Sequence, residues 1–99
     1  MSKFDKGKFA KKLSLTNLGY TQLQAQYVAD RLSQADADIK NATMEWLEDG
    51  TQPDLAVEGW SVERLASEFG MNVIAALLTI DWLRKDAAAA LAAIKEGIK

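Results

Sequence analysis

Between Val62 and Leu83 the sequence VERLASEFGMNVIAALLTIDWL passes from a one-sided apolar pattern to a nearly continuous one. Val62, Leu65, Ala66 and Phe69 recur at i, i+3, i+4 and i+7, the spacing that gathers side chains onto one face of a helix. Ser61 is placed to cap its start, and Trp60 to reach Leu65 as a hydrophobic staple. Gly70 closes this helix and Asn72 caps the next. Val73, Ile74, Ala76, Leu77, Leu78, Ile80, Trp82 and Leu83 then leave few polar interruptions. A helix apolar on nearly every side belongs in the middle of a core, so Leu65, Phe69, Leu77, Leu78 and Trp82 are expected to be almost inaccessible. At about 100° per residue Asp81 falls within the arc of Ile74 and Leu77, which predicts partial burial with Lys85 at i+4 as its partner.

Upstream, Ala25, Val28, Leu32, Ala35, Ile39, Ala42 and Trp46 step by alternating threes and fours, the seam of a coiled-coil-like helix. Thr21 and Gln24 form a capping box ahead of it, and neither Gly nor Pro follows before Asp49. The unbroken phase predicts one long helix from Thr21 to about Asp49. The alternative is a turn at Ser33 and Gln34, with Asp36 or Asp38 capping a new helix. A single helix would span roughly 43 Å at ~1.5 Å per residue and would need a second subunit to cover its ends. Self-association through Val28 to Trp46 is therefore expected.

Phe9, Leu13 and Leu18 give a short apolar face that Gly19 terminates. Gly50 and Pro53 interrupt helix, leaving residues 50–60 as a connector with Leu55, Val57 and Trp60 lying across the core. After Asp86, a plausible cap, the alanine-rich end carries Leu91, Ile94 and Ile98 as a narrow stripe. Thr43-Met44-Glu45-Trp46-Leu47 has an echo thirty-six positions later in Thr79-Ile80-Asp81-Trp82-Leu83, too short to define a repeat architecture. Together these elements predict an all-α fold, a small bundle of four or five helices with one long amphipathic helix and a central apolar one. Residues 1–8 are expected as a flexible basic arm and residues 9–99 as a single helical domain.

Composition narrows the function classes. Ninety-nine residues with 48% hydrophobic and 26% charged side chains describe an ordinary globular protein. No apolar run reaches the ~18 residues of a membrane span, and the first residues lack a signal peptide's apolar core, so a cytoplasmic location is the default expectation. The chain has no cysteine and no histidine, which removes thiolate nucleophiles, the usual zinc ligands and the commonest general base. No catalytic, cofactor-binding or metal-binding constellation emerges, and the chain is expected not to be an enzyme. The net charge of −2 hides an asymmetry: residues 1–12 carry +4 through Lys3, Lys6, Lys8, Lys11 and Lys12 against Asp5, whereas residues 30–68 carry −7. Glu45, Glu48 and Asp49 stand at a helix C-terminus, where the macrodipole disfavours acids by ~0.3–1 kcal/mol each. A basic group, from the lysine arm or from a partner, is expected to compensate.

Two resemblances follow from these motifs. Ala66, Gly70 and the helix after them resemble a helix-turn-helix, but Val73, Ile74, Leu77 and Leu78 at the reading positions carry no donors for base edges. Leu18-Gly19-Tyr20, with Asp38, Ile39, Ala42, Trp46 and Leu47, resembles the loop and third helix of ubiquitin-associated-type three-helix modules over residues 9–49. The interval between these motifs is longer than in that family, Glu48 stands where it has a second leucine, and the resemblance requires a loop within the seam. The function expected is contact with a protein partner through Glu45, Glu48, Asp49, Ile39, Ala42 and Trp46, as an adaptor, regulator or inhibitor. The alternative is a nucleic-acid-associated regulator using the basic arm, although nucleic acid is an unlikely partner for so acidic a body.

Overall fold

In the computed structural model, which describes residues 4–97, the chain forms two compact units that divide after Pro53, inside the expected connector. Six helices and one short hairpin appear among the described residues, so the all-α class holds.

The first unit holds α1 (Lys6–Ser14), α2 (Gln22–Ser33) and α3 (Ala37–Asp49). Asp5 caps α1 by accepting the Lys8 backbone N–H at 3.1 Å, so residues 6–8 of the expected arm are helical. Phe9, Ala10 and Leu13 are its buried positions. Gly19, in the α1–α2 loop, has φ of +85°, a conformation that costs other residues ~1–2 kcal/mol. The Thr21 capping box forms as the sequence predicts, with the Thr21 hydroxyl accepting from Gln24 N and the Gln24 carbonyl from Thr21 N. Lys6 bonds Asp30 at 3.3 Å, while Ser14 and Gln22 line one groove, which makes α1 and α2 antiparallel.

The long helix does not form. Gln34 N–H donates to Arg31 O and Ala35 N–H to Leu32 O, tightening the end of α2, and Asp36 opens α3 from extended backbone at φ −62°, ψ 155°. Register survives this turn because Ala35, within it, is itself 6% exposed and belongs to the core. Ala25, Val28, Leu32, Ala35 and Ile39 are all buried in this structure. These positions pack within the first unit, and Ile39 has no accessible surface. Gly50 ends α3 at φ +72°, its N–H donating to Trp46 O at 2.9 Å.

The second unit opens with β1 (Ala56–Val57) paired antiparallel to β2 (Trp60–Ser61), Val57 opposite Trp60. Glu58 and Gly59 make the two-residue turn at φ +55° and +80°, the positive pair that a type I′ hairpin requires. α4 (Val62–Phe69) follows, with Ser61 accepting from Arg64 N at 3.0 Å. Trp60 packs its ring 5.3 Å from that of Phe69, with the Arg64 guanidinium 4.0 Å from the Trp60 ring. Arg64 also pairs with Glu68 one turn on.

Gly70 turns the chain at φ +67° and Asn72 caps α5 (Val73–Lys85), accepting from Ala75 N at 2.8 Å. Ile74, Ala76, Leu77, Ile80, Asp81 and Leu83 of α5 are buried. Leu65 and Leu77 are inaccessible as expected, whereas Phe69 and Leu78 are half-buried and Trp82 is 39% exposed. Trp82 departs from the expectation because it lies on the side of α5 away from Leu77 and Ile80, where the unit leaves an opening. Asp86 breaks the helix and its carboxylate accepts from Ala89 N at 3.2 Å, starting α6 (Ala87–Gly97). Ala90 and Ile94 are its buried positions; Ile98 lies outside the described residues.

Candidate interaction surfaces

On the first unit, a helix wheel explains which apolar side chains face water. With Ala25 of α2 at the core, about 100° per residue places Leu23 and Tyr27 roughly 160° and 200° away. They are 77% and 65% exposed, one turn apart on the outer face of α2, and Leu15 just after α1 is 76% exposed. The seam pattern drew attention to the buried positions and away from Leu23 and Tyr27. Their shared i, i+4 spacing on the opposite side was the signal available.

Glu45, Glu48 and Asp49 are exposed in the last turns of α3, and Ala42 and Trp46 are partly buried. Lys8, Lys11 and Lys12 are exposed on α1, Lys6 is engaged with Asp30, and Lys3 lies outside the described residues. Structure brings part of both sets together. A cleft of about 860 Å³ between the start of α1 and one side of α3 is lined by Lys6, Lys8 and Lys12 and by Lys40, Met44 and Glu48, with Phe4 at one edge. Phe4 contacts the buried Phe9 ring at 5.3 Å. Glu48 thus shares a cleft with lysines of the same chain, the kind of basic group expected to compensate the acids at the α3 terminus. Glu45 and Asp49 do not line it.

On the second unit, Phe69, Met71, Thr79, Trp82, Ala93 and Ile94 enclose an apolar pocket of about 240 Å³. The Thr79 hydroxyl is held inward by Ala75 O at 2.8 Å and lies 3.6 Å from the Met71 sulfur. This leaves mainly hydrocarbon, sulfur and aromatic surface at the mouth, the adaptable kind that protein contacts favour. On the opposite side of α5, Asp81 is buried; its Oδ2 meets Lys85 Nζ at 3.1 Å, the pairing the sequence predicts. At the start of α5, Ile74 is buried and Val73 half-buried, so the reading edge of the helix-turn-helix resemblance is spent on packing.

Among the described residues no three acidic side chains converge so as to hold a metal ion, and no helix is long and apolar enough to cross a membrane. No family model matches the chain, and neither a curated protein nor a solved structure matches it significantly.

Proposed function

We propose that this protein is a small interaction module, an adaptor, regulator or inhibitor that acts by occupying a partner's surface. The observation that carries the reading is the placing of large apolar side chains in water on ordered helices: Leu23 and Tyr27 on α2, and Trp82 at the mouth of its pocket. Exposed aromatic and aliphatic groups on rigid elements supply contact area at small entropic cost. Glu45 and Asp49, exposed on α3 of the first unit, add acidic surface that favours a partner carrying basic groups.

The three short helices of residues 6–49, with Gly19 left-handed in the first loop, agree with the arrangement that the resemblance to ubiquitin-associated-type modules requires. That likeness supports recognition of a small folded domain and makes ubiquitin the first probe to titrate. The test is affinity capture from the source cell by three tagged forms: wild type, Leu23→Ser with Tyr27→Ser, and Glu45→Gln with Asp49→Gln. The reading expects a defined partner that the first double variant loses, and that the second holds less tightly and with weaker salt dependence. Identical capture by all three forms would contradict it.

A further inference from the structure

The α1–α3 cleft offers more than relief for one acid. Lys8 and Lys12 stand one turn apart on α1, about 5–6 Å between their β-carbons, and Lys40 faces them from α3. Met44, 6% exposed, and Phe4 supply the apolar part of its lining. The remaining charged side chains at its N-terminal end have other engagements: Asp5 caps α1 and Lys6 pairs with Asp30. Glu48 is the telling feature, since it is the carboxylate that α3 contributes to the cleft lining, beside the capping Asp5 of the α1 end.

We infer that this cleft receives an acidic linear peptide carrying an apolar anchor, whose carboxylates meet Lys8, Lys12 and Lys40 while the anchor rests on Met44 and Phe4. This rests on the interaction reading above and adds to it a second surface of opposite charge preference, apart from Leu23 and Tyr27. Charge complementarity selects the occupant. A peptide presenting a few carboxylates matches three ammonium groups in a confined space. A nucleic acid would instead bring a dense line of phosphates to a body whose residues 30–68 carry a charge of −7. Glu48 competes with the incoming acid, so its neutralisation strengthens binding; a purely structural role for the cleft gives no such gain.

The probe is a fluorescein-labelled peptide with three glutamates on each side of one leucine, followed by anisotropy against the full chain. Binding is expected, weakening with salt, with a loss of about tenfold for Lys12→Glu and for Lys8→Glu and a gain of about threefold for Glu48→Gln. Lys95→Glu, on the other unit, should leave it unchanged. Lys8 and Lys12 are exposed, and a retained circular dichroism spectrum separates lost binding from lost fold. Lysine variants that bind as well as wild type, a weaker Glu48→Gln, or tighter binding of an oligothymidine strand than of the peptide would overturn the inference. Should the peptide fail while capture still depends on Leu23 and Tyr27, the cleft assignment falls alone and the interaction reading stands.

Discussion

α3 and α5 are both thirteen residues long, both begin one residue after a side chain suited to N-capping, and both carry Thr-x-acid-Trp-Leu at the same positions. The agreement extends beyond the shared motif. α2 and α4 end at Ser33 and Phe69, which are also thirty-six positions apart, so each unit contains a helix, a three-residue turn and a second helix of matching length, although Gln34 turns right-handed at φ −95° and Gly70 left-handed at φ +67°. Yet the equivalent positions have different fates. Glu45 is exposed where Asp81 is buried, Trp46 is partly covered where Trp82 opens onto a pocket, and Asn41 stands where Leu77 forms core. The local pattern sets helix length and phase. The number of apolar neighbours that other elements supply decides which faces are spent, and α5, apolar on three sides, spends more of its surface than α3.

The largest expected effect separates a seam facing a partner from a seam facing inward. Ile39→Lys would part a dimer into folded monomers if Ile39 were a contact. Buried as it is, the change places an ammonium in the first unit's core and should cost more than about 4 kcal/mol, seen as lost amide dispersion for residues 6–49 in NMR spectra. Next, Leu77→Ala should destabilise the second unit by ~2–5 kcal/mol, while Asn41→Ala at the matching position of α3 should change stability by less than about 1 kcal/mol in denaturant titration.

The paired acids give a smaller contrast. Lys85→Met strands the buried Asp81 carboxylate and should cost about 1.5–3 kcal/mol, whereas Glu45→Gln, in water, should stay within about 0.5 kcal/mol. Equal effects at both sites would erase the distinction between a buried acid and an exposed one. The threonines give the smallest effect: Thr43 and Thr79 donate to the carbonyls of Ile39 and Ala75 at 2.7 and 2.8 Å, carbonyls that the helix ladder already serves. Thr→Val at either should shift stability by less than about 1 kcal/mol.

Much of this architecture is legible from residue order. The capping box at Thr21, the left-handed glycines at 50 and 70, the cap at Asn72, the break at Asp86 and the pairing of Asp81 with Lys85 all follow from local chemistry acting over one helical turn. The misreadings share a cause. A continuous seam favours a continuous helix over the alternative with Asp36 at the start of a new one, but Ala35 keeps the phase while its backbone turns, and only packing in three dimensions reveals that. The hairpin at Glu58 and Gly59 was hidden because strands of two residues carry no periodicity. Trp82 was assigned to the core because hydropathy cannot say which side of an all-apolar helix lacks a neighbour. Of the surfaces, the acids and lysines were legible as charge, but their meeting in one cleft depends on how α1 and α3 pack.

The division of the seam at Gln34–Asp36 underlies both the packing of the first unit and the proposal that its outer faces meet a partner. Backbone carbon chemical shifts of the ¹³C-labelled chain, recorded over a hundredfold range of concentration, read it residue by residue. Helical shifts for 22–33 and 37–49, non-helical values at Gln34, Ala35 and Asp36, and no change with concentration across Val28 to Trp46 are predicted. Uninterrupted helical shifts from Gln22 to Asp49, with seam resonances that move or broaden as concentration rises, would contradict it.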